Sequence, residues 1–236
     1  MKRGLLALAG LLVGASIVFV GAPGSATQAS VGNWSTAKSK PADRPVYSAL
    51  LDYEAGWIAG TNPNGVWRYG WSNTLTSPLK LFTRTLVPER NGGQEHMWDD
   101  PDNSYADAPS VARNSGGDYD DGNVSFRAGA LLLTPGEGGT YAHVVFTAPS
   151  HGDYAVAATF YAQQYAINSD AEVLVNGKLK FSDTLTSMGE SHSYARSFSL
   201  KAGETIDFVV GPNGQPELHP ANTGLEAIIS NDKAKG

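Results

Sequence analysis

The chain has 236 residues, with 17 Lys and Arg against 23 Asp and Glu, a net charge of −6 and no cysteine. The absence of cysteine excludes a disulfide-held scaffold, so a hydrophobic core must hold the fold by itself. The mild negative charge argues against a nucleic-acid or anionic-membrane partner, because the sequence has no basic cluster that could neutralise phosphates.

The N-terminus has the features of a secretory signal peptide. Lys2 and Arg3 precede an apolar run over residues 5–20, and small residues follow that run. The run falls short of the ~20 residues that a membrane span needs, which favours cleavage over an uncleaved membrane anchor. We therefore predict that residues 1–29 are removed and that the mature protein is secreted, extracellular and free of the membrane.

The remaining chain is predicted to form one domain. Residues 30–46 are polar and contain proline, which is typical of a leader, and residues 232–236 form a short polar tail. The domain itself is predicted over residues 47–231. A mature chain of about 205–210 residues is within the size range of a single all-β domain.

Short runs of β-prone residues alternate with turns rich in Gly, Pro and Asn along most of this domain. Only residues 46–56 show a helical pattern, and residues 91–123 are predicted to form long loops at one end of the fold. The regular strand spacing predicts an all-β fold, an antiparallel β-sandwich of jelly-roll type. The clearest predicted strands cover residues 130–134, 140–148, 153–165, 171–177, 193–200, 205–211 and 224–230.

Several phrases of the sequence carry a family resemblance. They include "NPNGVWRYGW" (62–71), "VLVNG" (173–177) and "AGETIDFVVGPNG" (202–214). Together they resemble a family of exported bacterial jelly-roll domains, often found in proteins with a C-terminal sorting anchor of the PEP-CTERM kind. The resemblance implies a sandwich similar to carbohydrate-binding modules. This chain departs from the family at Val145, where related chains tend to have Arg, so no site residue is carried across.

One predicted strand has an unusual polar face. Alternation along residues 153–165 puts Thr159, Tyr161, Gln163 and Tyr165 on the same side. We predict that this row joins polar side chains of other strands in one cleft. The predicted catalytic residues are Tyr161, His143, Tyr165, Gln163 and Arg196, and the predicted substrate-binding residues are Tyr141, Tyr194, His192 and Trp71.

Two chemistries could use such a cleft. Tyrosine and glutamine can bind a sugar by ring stacking and hydrogen bonds. Alternatively, Tyr or His could remove the C5 proton of a uronic acid while Gln or Arg neutralises its carboxylate, which is β-elimination. The sequence narrowly favours the second, a small hyaluronidase-like lyase acting on a uronan, over a non-catalytic carbohydrate-binding protein. An ordinary exposed sheet face is the structural alternative.

Other chemistries find less support in the sequence. Glycoside hydrolysis needs two paired carboxylates, and nothing in the sequence pairs Glu172, Glu226, Asp207 or Glu137. A Ser-His-Asp hydrolase is not predicted because no G-x-S-x-G elbow is present.

Two loops are rich in carboxylates, the ligands that calcium prefers. A structural calcium ion is the one cofactor that these loops suggest, and no cofactor is required. We expect a monomer whose partner is an extracellular polysaccharide. The candidate ligands are Asp99, Asp100, Asp118, Asp120 and Asp121.

Overall fold

The structure is a computed structural model and describes residues 45–89, 94–101, 109–136, 138–165, 167–215 and 222–231. The predicted signal peptide (1–29), the predicted tail (232–236) and most of the predicted leader lie outside these residues. The described part of the chain contains no helix with the length and apolar character of a membrane span.

Strands make up most of the described chain, together with one helix, α1 (Ala49–Ala59). In chain order the strands are β1 (Val46–Ser48), β2 (Trp67–Ser72), β3 (Lys80–Leu81), β4 (Arg84–Leu86), β5 (Glu95–Asp99), β6 (Ser110–Asn114), β7 (Tyr119–Asp120), β8 (Ser125–Phe126), β9 (Leu131–Thr134), β10 (Tyr141–Thr147), β11 (Gly152–Ala162), β12 (Ser169–Val175), β13 (Lys178–Leu185), β14 (Ser191–Leu200), β15 (Thr205–Gly211) and β16 (Thr223–Asn231).

These strands form two antiparallel sheets and a small hairpin of β7 and β8. The larger sheet has the order β14-β11-β16-β9-β6-β5-β4, with β1 also paired to β16. The smaller sheet has the order β13-β12-β15-β10-β2-β3. From β9 to β12 and from β13 to β16 the chain alternates between the two sheets, as in a jelly roll. The predicted all-β antiparallel sandwich is therefore confirmed.

The core lies between the two sheets and follows from the two-residue period of the strands. Val144 and Phe146 of β10 are fully buried, as are Trp67 and Tyr69 of β2. Burying a side chain of this size contributes roughly 1.5–3 kcal/mol. Residues between these positions, such as His143, lie on the outer face of the smaller sheet.

The helix α1 packs on the larger sheet. The Ser48 hydroxyl caps it by accepting a hydrogen bond from the Leu51 amide at 3.2 Å, and Gly60 ends it in a left-handed conformation. The hydroxyl of buried Tyr53 contacts the carbonyl of Val111 at 2.6 Å, which fastens the helix to β6. The helical pattern over residues 46–56 therefore marks a full helix of 11 residues.

Two sequence predictions differ from the structure. Residues 91–123 were predicted as loops, but their described part contains β5, β6 and β7. The strand predicted over 153–165 ends at Ala162, because the chain turns away to pair with other segments. There Gln163 donates its amide to the carbonyl of Asn222 at 3.1 Å, and its carbonyl accepts from Ser125 at 2.8 Å.

Candidate functional site

The polar cluster predicted around Tyr161 and His143 is not brought together. Tyr161 follows core residue Phe160 in the larger sheet and points to its outer face, where it joins a separate small apolar cluster. His143 lies on the outer face of the smaller sheet, since its neighbour Val144 is in the core. The full thickness of the sandwich separates the two side chains, so no single cleft contains both.

The other predicted site residues are spread over several surfaces. Gln163 is buried beyond the end of β11, whereas Tyr165 is half exposed and its hydroxyl donates to Asp120 at 3.1 Å. Of the predicted residues, only Tyr141 shares its strand and outer face with His143. The remaining four lie on the inner side of their strands: Tyr194, Arg196 and His192 on edge strand β14, and Trp71 on β2.

Both tyrosines of the predicted catalytic row hold their protons tightly. Burial raises the pKa of Tyr161 to about 12, with a further upward contribution from Glu226 and an opposing one from Arg127. The hydrogen bond to Asp120 is the main cause of the raised pKa of Tyr165. Neither phenol is therefore suited to accept a proton near neutral pH.

The predicted calcium ligands already take part in loop and strand hydrogen bonds. Asp99 forms a bidentate salt bridge with Arg84, whose Nε and Nη2 donate to Oδ1 and Oδ2 at 2.8 and 2.6 Å. Asp118, Asp120 and Asp121 each accept a backbone amide within their own turn region. Among the residues that the structure describes, no group of three His, Asp or Glu is arranged to hold a metal ion. Calcium binding through these residues and Asp100 stays a prediction.

A pocket of about 220 Å³ lies on the outer face of the smaller sheet, and we call it the outer pocket. Its floor contains Val145 and Leu174, and segment 73–79 borders it with Leu75 and Leu79. Its polar lining residues are Arg68, Thr76, Ser77, His143, Thr205 and Asp207.

The strand register explains how these residues meet. Val145 of β10 pairs with Arg68 of β2 on one side and with Asp207 of β15 on the other, and Asp207 pairs with Leu174 of β12. These four residues therefore form one row across four strands, all on the outer face. Gly70 allows segment 73–79 to fold back over this face, because a Cβ at that position would collide with the carbonyl of Lys80.

His143 is held at both ring nitrogens beside the pocket. Its Nε2 lies 2.8 Å from Ser72 Oγ, and its Nδ1 lies 2.9 Å from Asp207 Oδ2. The three side chains resemble a Ser-His-Asp relay, but Ser72 is fully buried and its hydroxyl donates to the Thr74 carbonyl at 2.7 Å. The arrangement therefore positions Asp207 and does not present a nucleophile.

Three buried polar atoms on this face have no hydrogen-bond partner in the described structure: Arg68 Nε, Asp207 Oδ1 and Glu172 Oε2. Folded proteins rarely leave such atoms unpaired, since each costs about 1–3 kcal/mol. Arg68 and Asp207 both line the outer pocket. The pocket thus combines one unpaired donor and one unpaired acceptor.

Glu172 lies next to this row, on β12. It is 7% exposed, and burial is the main reason that its pKa is raised to about 7. The charges of Asp170 and Asp207 add to this shift, and His143 opposes it. A strongly shifted carboxyl beside a pocket is a common feature of functional sites.

Sequence reasoning found part of this site. It named His143, and it considered Asp207 only as a hydrolase carboxylate. It did not name Arg68, although the alternation in "VWRYGW" places this residue opposite Trp67 and Tyr69, which are core. An arginine on the outer face between two core aromatics was the available signal.

Comparison with known proteins gives weak structural similarities. No family model matches the chain, and no curated protein matches it. A family 35 carbohydrate-binding module from Clostridium thermocellum is 15% identical and covers 58% of this chain and 87% of that chain, with a TM-score of 0.28. A structure described as CBM4 is 16% identical and covers 44% of this chain and 84% of that chain, with a TM-score of 0.27. A GH26-CBM35 β-(1,4)-mannanase from Podospora anserina is 11% identical and covers 61% of this chain and 28% of that chain, with a TM-score of 0.31.

The names of all three structures refer to carbohydrate-binding modules. Similarity at this level carries no assignment of a ligand or a site. The motif pattern and the sorting-anchor family suggested by the sequence stay predictions, as does secretion.

Proposed function

We propose that the protein binds an extracellular saccharide in the outer pocket and does not cleave it. One observation carries the proposal. Arg68 and Asp207 stand on either side of the apolar residue Val145, and each has a buried polar atom without a partner.

A sugar ring fits this combination of groups. Its hydroxyls both donate and accept hydrogen bonds, and one face of the ring is lined by C–H groups that can lie on an apolar floor such as Val145 and Leu174. The pocket volume of about 220 Å³ is below the ~300 Å³ at which drug-sized sites begin. This size favours a single sugar ring over a longer segment of chain.

The arrangement favours binding over the β-elimination predicted from the sequence. The Tyr or His that the sequence proposed as the proton acceptor is not available in this pocket. Both ring nitrogens of His143 are engaged, and burial together with the charges of Asp170 and Glu172 raises the pKa of Tyr141. Tyr161 is on the opposite face of the sandwich. The uronan lyase activity therefore stays a prediction without an assembled site among the described residues.

Glycoside hydrolysis is not favoured by this arrangement either. Glu172 and Asp207 do share the outer face, since Glu172 pairs with Val209 and Asp207 lies two residues away on the same strand. However, one oxygen of Asp207 contacts His143, and Glu172 does not line the pocket. The two carboxyls therefore do not flank a common space for a glycosidic bond.

Replacing Asp207 by asparagine is expected to weaken saccharide binding about tenfold, because a charged acceptor becomes a neutral one. Affinity electrophoresis with hyaluronan, alginate, pectate, xylan and β-mannan would identify a binding polymer and measure the loss. Glu226→Gln is the matched control, since Glu226 is exposed on the outer face of the larger sheet.

Two further results would decide against this function. Tyr161 lies on the other sheet. If Tyr161→Phe lost saccharide binding while Asp207→Asn kept it in full, the outer pocket would not be the binding site. Release of unsaturated uronides from any uronan, seen by their ultraviolet absorbance, would show that the protein cleaves its ligand.

A further inference from the structure

Resting on the saccharide binding proposed above, we propose that the outer pocket is specific for an acidic sugar, a hexuronate residue at the end of a chain, whose carboxylate pairs with Arg68.

The charge of Arg68 has no partner among the described residues. Its Nε is buried without a hydrogen bond, and Arg68 is in none of the ion pairs between described residues. A partly buried charge is costly unless it is paired. The planar guanidinium can bind a carboxylate through two parallel hydrogen bonds, which a neutral hydroxyl cannot reproduce.

The spacing of the row sets the orientation of the ligand. Arg68 and Asp207 lie two strands apart, with Val145 between them, so roughly 9–10 Å separates their backbones. A hexuronate carries its carboxylate on C5 and its C2 and C3 hydroxyls on the far side of the ring. With the ring over Val145, the carboxylate can reach Arg68 while a hydroxyl donates to Asp207.

The opposite orientation is disfavoured by charge. It would place the sugar carboxylate against the Asp207 carboxylate and leave Arg68 facing hydroxyls. Because His143 contacts only Oδ2 of Asp207, the other carboxylate oxygen, Oδ1, is an acceptor without a hydrogen-bond partner in the described structure. Arg68 therefore binds the carboxylate of the hexuronate, and Asp207 binds a hydroxyl on the opposite side of its ring.

The residues that border the pocket favour binding of a terminal sugar residue over an internal residue of a polymer. Segment 73–79 borders one side through Leu75 and Leu79, and Gly177 and Thr205 border the other. The pocket is half open to solvent, and its volume of about 220 Å³ has room for one ring between these borders. An internal residue of a polymer would have to continue past both borders, whereas a terminal residue continues past only one.

Calorimetric titration of the mature protein with methyl β-glucuronide and methyl β-glucoside tests the charge specificity. We expect the glucuronide to bind at least tenfold more tightly than the glucoside, and we expect Arg68→Gln to remove this preference. Arg68→Lys keeps the positive charge but loses the planar guanidinium with its two parallel donors, so its affinity for the glucuronide should be intermediate. Arg196→Gln is the matched control, since Arg196 is exposed on edge strand β14 of the larger sheet.

Disaccharides test the chain-end specificity. A disaccharide with glucuronate at its non-reducing end should bind as well as the methyl glucuronide, and one with glucuronate at its reducing end should bind at least tenfold more weakly. Circular dichroism and a melting curve for each variant would show that it is folded.

The outcomes separate this inference from the proposed function. If both glycosides bind wild-type protein equally, or if Arg68→Gln keeps the preference, acid specificity is overturned while saccharide binding stands. If both disaccharides bind equally, the chain-end specificity is overturned. If neither glycoside nor any of the polymers named above binds, the proposed function fails together with the inference.

Discussion

Replacing Glu172 by glutamine is expected to raise the free energy of unfolding by about 2–3 kcal/mol at pH 8. The residue is 7% exposed, and burial raises its pKa from 4.5 to about 7 in the folded protein. Above that pKa the fold must hold an ionised carboxylate in a poorly hydrated position beside Asp170 and Asp207. Glutamine has nearly the same shape and carries no charge, so it avoids this cost.

The direction of the pH dependence follows from the two pKa values. Between pH 4.5 and about 7 the folded state binds a proton at Glu172 that the unfolded state has released. The contribution of Glu172 to stability is therefore fully present below pH 4.5 and is lost as the pH rises towards 7. Above pH 7 the loss is complete and stays constant.

Urea unfolding of the wild type and of Glu172→Gln at intervals from pH 4 to pH 8 would measure this effect. The difference between the two proteins should grow through the window and level off near pH 7. Glu226→Gln should show no such growth, because Glu226 is exposed on the larger sheet. A difference between wild type and Glu172→Gln that does not change with pH would contradict the burial of an ionisable Glu172.

The strands that the sequence predicted well share one property: a clear alternation that ends in turn residues. The prediction for β15 matches the structure over residues 205–211, because apolar Ile206, Phe208 and Val210 alternate between two glycine-containing turns. Edge strand β13 was missed, since most of its side chains are exposed and Asp183 interrupts the alternation that begins at Leu179 and Phe181. Helix α1 was underestimated because Leu51 and Ile58 are 74% and 71% exposed, which hides its amphipathic pattern.

The candidate site shows a different limit of sequence reasoning. Tyr141 and His143 are two residues apart in the sequence, so the period of two puts them on one face of β10, as the structure shows. The wrong step was to join that face with the face of Tyr161. Because the chain crosses from the smaller to the larger sheet between β10 and β11, these two outer faces point in opposite directions. Strand order depends on long-range pairing, which the local period of a sequence does not contain.

Replacing His143 by alanine is expected to lower the free energy of unfolding by about 3–4 kcal/mol, because it leaves buried partners unpaired. The ring bridges Ser72 Oγ and Asp207 Oδ2, and it is 2% exposed. Its removal also opens a cavity behind the outer pocket. Chemical unfolding at neutral pH would measure the loss, and saccharide affinity should fall as well, since Asp207 is no longer held in place.

His192 supplies the matched control for this prediction, because it contacts two carboxylates in a more exposed setting. Its Nδ1 lies 2.9 Å from Asp183 and its Nε2 lies 3.2 Å from Glu190, at the edge of the sandwich. Surface pairs of this kind contribute at most about 1 kcal/mol, so His192→Ala should change stability little and leave saccharide binding intact. Equal losses of stability in the two variants would contradict a stabilising role for the buried bridge that His143 forms between Ser72 and Asp207. Unchanged affinity in His143→Ala would show that Asp207 does not depend on His143 for its position.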